Sequence, residues 1–153
     1  MEQQDERRAT PAMITGGCLC NGVRFRITGR IGAIGYCHCS QCRRASGTAF
    51  AANADVQRDA ITFESGLDGI REYESSPGKF RAFCSRCGSP LYSRVASDPE
   101  RLRVRLGTLD QDPGRRALAH VWVGSKAPWF EITDQLPQFT EGPPPRAPRS
   151  DRG

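Results

Sequence analysis

Seven cysteines stand in three close-spaced groups, and this spacing is typical of metal ligands rather than of scattered core thiols. Zinc takes four protein ligands in a structural site, but three ligands and an open position where it does chemistry. Because seven is four plus three, the count predicts one closed zinc site and one reactive zinc site. The groups are Cys18 and Cys20, then Cys37, Cys39 and Cys42, then Cys84 and Cys87.

The closed site is predicted to combine the first and last groups, Cys18 and Cys20 with Cys84 and Cys87. Cys84 and Cys87 have the form of a zinc knuckle, in which a tight turn aims two sulfurs at one point, and Gly88 can take a positive φ after the turn. Cys18 and Cys20 face the same side of an extended segment. Zinc binding contributes roughly 10 kcal/mol or more of folding free energy, so we expect this site to hold the fold.

The middle group is predicted to form the reactive site. Cys37 and Cys39 share a face in an extended segment, and Cys42 lies one helical turn beyond Cys39. His38 lies between two ligands and is expected to point away from them. His120 is the other candidate for a fourth ligand, but a role in the core or in support of the ligands is favoured over it.

Three thiolates make zinc a weak Lewis acid, so the reactive site is suited to binding another thiol rather than to activating water. A soft, sulfur-rich site can hold an added thiol as its nucleophilic thiolate. The added negative charge requires positive charge nearby. Arg43 and Arg44 follow Cys42 directly and are predicted to supply it, or to bind carboxylates of the ligand; the alternative is that both are solvated surface residues.

The elements that must position these ligands are predicted to be mostly short β-strands. Apolar and polar residues alternate, and clusters of Gly, Pro, Asp and Ser separate the runs. One helical turn is predicted from Ser40, as its N-cap, to about Ala45. The fold class is therefore all-β, with small antiparallel sheets tied by metal. The predicted strands are Val23–Ile27, Thr48–Asn53, Ile61–Phe63, Ile70–Tyr73, Lys79–Phe83, Leu91–Val95, Leu102–Leu106 and Ala119–Val123.

The chain of 153 residues is predicted to form one zinc-binding domain from residue 15 to residue 140. Residues 1–14 are expected to be a flexible lead-in, and residues 141–153 a flexible, proline-rich tail. The start of the chain has no apolar signal region, and no apolar run is long enough to span a membrane. We therefore expect a cytoplasmic protein with reduced cysteines and no membrane partner.

The net charge of +5 does not favour a nucleic-acid partner. Two zinc ions on seven thiolates would reduce it to about +2, and nucleic-acid binders concentrate far more positive charge on one face. Arg101, Arg103 and Arg105 alternate along a predicted strand, and a solvated strand face is favoured there over a phosphate-binding stripe. The modest excess suits a small acidic ligand.

Four segments together resemble the glutathione-dependent formaldehyde-activating enzyme family. They are Gly17–Val23, Cys37–Arg43, Phe83–Gly88 and His120–Trp129, and the resemblance extends from about Thr15 to Phe139. The family also includes a centromere-associated protein, so its fold and ligands do not fix one function. The alternative to an enzyme is a non-catalytic zinc module that binds a thiol, a protein or a nucleic acid.

The resemblance implies a β-tent fold and a carbon–sulfur lyase that makes S-(hydroxymethyl)glutathione from glutathione and formaldehyde. In that reaction a zinc-bound thiolate of glutathione attacks the aldehyde carbon, and basic groups receive the carboxylates of the peptide. The ligand sets that the resemblance implies are Cys18, Cys20, Cys84 and Cys87 for the closed zinc, and Cys37, Cys39 and Cys42 for the second, catalytic zinc.

Overall fold

A computed structural model describes residues 13–143, and in that range the chain forms ten strands and one α-helix joined by short turns. The predicted flexible segments lie largely outside the described residues, although the first strand already begins at Met13. The elements are β1 Met13–Gly17, β2 Arg24–Thr28, β3 Ile34–Cys37, α1 Ser40–Ser46, β4 Ala51–Gln57, β5 Ile61–Ser65, β6 Ile70–Ser76, β7 Lys79–Cys84, β8 Pro90–Val95, β9 Arg101–Arg105 and β10 His120–Val121.

The strands form two sheets, which confirms the predicted all-β class with mainly antiparallel sheets. One sheet has the order β1-β2-β5, and the other has the order β10-β3-β4-β9-β8-β7-β6. Neighbouring strands pair antiparallel except for β10, which runs parallel to β3. This single parallel pair carries the late segment of the chain back to the strand that ends at Cys37.

The main core lies between the two sheets and is built from alternate residues of their strands. Such alternation places successive side chains on opposite faces of a strand, so one face of each sheet is apolar. On β4 and β9 the opposite face is therefore left for polar side chains. The buried core residues are Ile14, Phe25, Ile27, Ile31, Ile34, Ala54, Val56, Ile61, Leu102, Val104 and Ala117.

Three strand boundaries differ from the prediction for local reasons. The segment Ile34–Cys37 is absent from the predicted strands, although Cys37 was expected at a strand end, and it forms β3 between β4 and β10. The strand predicted from Thr48 begins only at Ala51, since the Thr48 hydroxyl donates to the Phe50 carbonyl in a turn. The last predicted strand ends at Val121 because Trp122 adopts a left-handed φ of 59°.

The helix α1 is short, and its caps come from the residues around the middle cysteine group. Cys39 rather than Ser40 is the N-cap, and its side chain accepts from the Cys42 amide. Gly47 ends the helix with a φ of 70° and donates its amide to the Arg43 carbonyl. No helix in the described part of the chain is long and apolar enough to cross a membrane.

Replacing Gly66 by alanine is expected to destabilise the domain by about 2–4 kcal/mol, because it combines backbone strain with a clash. Gly66 has a φ of 76°, and a Cβ there would lie 2.2 Å from the Gly22 carbonyl oxygen, in the loop that carries Cys20. Gly29→Ala is the matched control, since Gly29 has a φ of 78° and open space around it. It should cost only about 1 kcal/mol. Denaturant unfolding of the zinc-loaded variants measures the loss of unfolding free energy. An equal loss in both variants would contradict the clash at Gly66.

Candidate metal centres and active site

The fold brings the first and last cysteine pairs together at one end of the molecule. Cys18 and Cys20 lie in the turn between β1 and β2, and Cys84 and Cys87 lie where β7 turns into β8. The four sulfurs lie within 4.8 Å of one another, with 3.5 Å between Cys18 and Cys20 and 3.9 Å between Cys20 and Cys84. A tetrahedral zinc with Zn–S bonds of about 2.3 Å separates its sulfurs by about 3.8 Å, so this set fits zinc.

Local hydrogen bonds prepare this closed group to hold thiolates. The Val23 amide donates to the Cys18 sulfur at 3.2 Å, and the Gly88 amide, at a φ of 75°, closes the turn on the Cys84 carbonyl at 2.8 Å. Hydrogen bonds with Ser89 lower the pKa of Cys87 to about 5. Cys18 and Cys84 are buried with Val23, so one side of the cysteine group continues a small second core, while Cys20 is exposed.

The middle group converges as its spacing predicts. Cys37 ends β3, Cys39 caps α1 and Cys42 lies in the first turn of the helix, where its amide donates to the Cys39 sulfur at 3.3 Å. The three sulfurs lie within 4.8 Å of one another, and no further His, Cys, Asp or Glu of residues 13–143 joins the group. Three soft sulfur donors fit zinc with one coordination position left to another ligand.

The two histidines lie behind the middle group rather than in it. His38 is fully buried, and its Nε2 lies 2.7 Å from Nδ1 of His120. His120 in turn places its Nε2 2.9 Å from the Asp134 carboxylate. Burial and the neighbouring His120 lower the pKa of His38 to about 4. The histidines therefore brace the chain between Cys37 and Cys39, and the prediction that His38 points away from the sulfurs is confirmed.

Two buried arginines from distant strands supply the positive charge beside the middle group. Arg81 on β7 donates to the Cys42 sulfur at 3.6 Å, and Arg105 at the end of β9 donates to the Asn53 side chain. Both are nearly inaccessible, at 9% and 6% exposure. Hydrogen bonds with Cys37 and Cys39, and then with Arg81, hold the pKa of Cys42 far below its usual range.

The arginines named from the sequence lie elsewhere on the helix. Arg44 is exposed, while Arg43 is half-buried and its Nε has no hydrogen-bond partner within the described residues. Their role toward a ligand stays a prediction. Arg81 and Arg105 were missed because the sequence signal, alternation along a strand, does not tell a solvated arginine from a buried one. The interpretation of Arg105 as part of a solvated strand face was wrong.

A cleft of about 410 Å³ opens beside Cys37. One wall is apolar and comes mainly from the segments around β10, and it includes Leu118, Trp122 and Phe139. Polar side chains of β4 and β9 line the other side: Asn53, Asp55 and Arg103. The cleft has the size and mixed lining of a small-molecule site, and it ends at one cysteine of the middle group.

The sequence of residues 13–125 matches the model of the family described as glutathione-dependent formaldehyde-activating enzyme. The chain belongs to this family. The match covers all seven cysteines together with Arg81, Arg105 and His120, and it confirms the resemblance read from the sequence.

Two known proteins show how far this likeness extends. A Halomonas elongata protein, named "Putative glutathione-dependent formaldehyde-activating enzyme", is 30% identical over 132 residues, which cover 78% of this chain and 81% of that protein. A crystal structure of a Rhodobacter sphaeroides protein superimposes with a TM-score of 0.52 at 22% identity, covering 64% of this chain and 89% of that one. The second likeness supports the fold alone.

Proposed function

We propose that this protein is a zinc-dependent carbon–sulfur lyase that joins glutathione to formaldehyde, giving S-(hydroxymethyl)glutathione, at Cys37, Cys39 and Cys42. The observation that carries the proposal is the convergence of three sulfurs beside a cleft, with the buried guanidinium of Arg81 on the sulfur of Cys42. Membership of the family supports glutathione and formaldehyde as the reactants.

The three cysteines would hold the catalytic zinc, and Cys18, Cys20, Cys84 and Cys87 would hold a second, structural zinc. Zinc on three thiolates supplies a site where an added thiol stays ionised at neutral pH. Arg81 and Arg105 offset the negative charge that accumulates on the sulfurs. Because both arginines are buried, their charges act through a medium of low dielectric and are screened little by salt.

The reaction itself requires no further catalytic group from the protein. The thiol of glutathione loses its proton to solvent. Its sulfur then forms a bond to the carbonyl carbon, the electron pair of the C=O π bond moves to oxygen, and that oxygen takes a proton from water. The chain contributes orientation, because the apolar wall around Trp122 and Phe139 confines the reactants next to Cys37. We propose the cytoplasm as its location, since all seven cysteines are free thiols that suit a reducing compartment.

Zinc-loaded protein is expected to accelerate the exchange between formaldehyde and S-(hydroxymethyl)glutathione above its spontaneous rate, and Cys42→Ser should return the exchange to that rate. NMR exchange spectroscopy with and without protein measures both. Cys42→Ser should still bind about one zinc ion through the closed group and keep a native circular dichroism spectrum, which separates lost chemistry from lost fold. Acceleration that survives Cys42→Ser would place the chemistry elsewhere. No acceleration by the wild type would favour a binding module.

A further inference from the structure

Four cationic side chains lie together on one face of the larger sheet, beside the middle cysteine group. Arg81 and Arg103 both face Ser93 on the strand between them, and Arg103 also faces Asp55 on β4. Residues two apart on a strand share a face, so the neighbours of these arginines on β7 and β9 complete the set. Arg101 shares this face of β9 but pairs with Asp98 and Asp55, which leaves four cations near one another: Lys79, Arg81, Arg103 and Arg105.

Two of these cations donate hydrogen bonds to side chains of the described residues, and the other two, Lys79 and Arg103, do not. Arg81 and Arg105 are bound to Cys42 and Asn53. Arg103 comes no closer than 3.9 Å to the Asp55 carboxylate, and this distance is too long for a hydrogen bond. The same carboxylate is also approached by Arg101, at 3.5 Å. Within residues 13–143 neither the Arg103 guanidinium nor the Lys79 ammonium donates a hydrogen bond to another residue.

Lys79 lies close to other cations, so a negative charge beside it would be stabilised. Lys79 is partly buried, and burial, together with the nearby Arg103 and Arg81, lowers its pKa to about 8. An anion placed between Lys79 and Arg103 would relieve the repulsion between these cations and use their free donors. A carboxylate has the planar shape that a guanidinium binds with two hydrogen bonds.

The cleft connects Arg103 of this pair to the reactive sulfurs. Cys37 and Arg103 both line it. Along β4, Cys37 faces Ala51 while Arg103 faces Asp55, which separates the two positions by about 13 Å along the strand and about 10 Å across two strand spacings. The reach of the arginine side chain closes part of this gap, and the ligand spans the rest.

We propose that Arg103, which lines the cleft, and the neighbouring Lys79 form a carboxylate-binding subsite that takes a carboxylate of the thiol substrate. The inference rests on the proposed function, because it assumes that the substrate's sulfur lies at Cys37, Cys39 and Cys42. It makes the substrate an acidic thiol. A thiol without a carboxylate, such as 2-mercaptoethanol, cannot use the subsite.

The test uses S-methylglutathione, which keeps the carboxylates of the peptide but has no thiol to bind to zinc. We expect it to bind the zinc-loaded full chain in NMR titrations at millimolar concentrations. Arg103→Gln should weaken this binding about tenfold or more, since it removes a charge-assisted hydrogen bond. The diethyl ester of the same probe should bind the wild type as weakly as the acid binds Arg103→Gln.

Arg26→Gln is the matched control for the loss of one charge. Arg26 has a side chain as exposed as that of Arg103, at 45% against 41%, but it lies on β2 and pairs with Glu64. It should leave binding unchanged. The proposal is overturned if the wild type does not bind the probe, if Arg103→Gln binds it as the wild type does, or if the ester binds as tightly as the acid.

Failure of the subsite is distinguishable from failure of the proposed reaction. Binding of S-methylglutathione that depends on Arg103, without acceleration of formaldehyde exchange, supports the subsite and contradicts the reaction. Exchange that is accelerated equally by the wild type and Arg103→Gln at every glutathione concentration supports the reaction and overturns the subsite. Where both hold, Arg103→Gln should raise the half-saturating glutathione concentration and leave the rate at saturation near that of the wild type.

Discussion

Replacing Cys84 by serine is expected to leave the chain unable to reach its native fold. Cys84 is buried in the small core with Val23 and Leu91, and its sulfur lies among those of Cys87 in the same turn and of Cys18 and Cys20 in a distant turn. Zinc binding of roughly 10 kcal/mol or more is comparable with the whole stability of a domain, about 5–15 kcal/mol. Loss of one ligand therefore removes most of what holds these turns together. Amide dispersion in NMR spectra and zinc content of the soluble fraction measure the effect.

Cys42→Ser is the matched control for that experiment. Cys42 is also buried and also belongs to a cysteine group, but that group lies within one strand end and one helical turn, so a zinc there closes no long loop of the chain. We expect this variant to fold and to lose about one zinc ion of two. Equal collapse of both variants, or a folded Cys84→Ser, would contradict the division into a structural site and a reactive site.

The cysteine groups could be predicted because their geometry is mostly local. The close spacing within each group fixes which sulfurs share a direction, so Cys37, Cys39 and Cys42 converge with little help from the rest of the fold. Only the joining of Cys18 with Cys84 depends on distant contacts, and the count of ligands that zinc needs supplied that pairing. The all-β class followed in the same way from local alternation.

The cations and the cleft could not be predicted because they depend on which strands are neighbours. Arg81 reaches Cys42 across 39 positions of sequence, through the pairing of β7 in the larger sheet. The cleft needs β10 to return beside β3, and that pairing spans only two residues on each strand. Arg43 and Arg44 were chosen for adjacency to Cys42, and adjacency on a helix places a side chain on another face.

The larger sheet has one face that packs in the core and one face that carries the cationic side chains. On β9, Leu102 and Val104 face the core, and the alternation that buries them turns Arg103 and Arg105 to the other face. The same strand thus anchors the fold and carries the charges. Substitutions of these arginines should therefore change binding more than they change the packing of the core.

The second large effect is expected from Arg81→Gln, which should weaken zinc binding at the middle group about 10–100-fold, as is usual for the loss of a group that supports metal ligands. Arg81 donates to the Cys42 sulfur at 3.6 Å and to the Ser75 hydroxyl at 2.9 Å, so it both stabilises the thiolate and ties α1 to β6 and β7. Glutamine keeps a polar side chain but removes the charge. Competition with a chromophoric zinc chelator measures the two affinities.

Arg44→Gln is the control that separates contact from mere adjacency. Arg44 lies two residues after Cys42 and is exposed, so its removal should leave both zinc affinities unchanged. The tighter affinity, which belongs to the closed group, should be the same in both variants, because Arg81 touches none of its four cysteines within the described residues. Arg81→Lys should restore part of the loss, since it keeps the charge but not the planar guanidinium. A loss in Arg44→Gln equal to that in Arg81→Gln would show that positive charge near the cysteines in general, and not the contact of Arg81 with Cys42, supports the zinc.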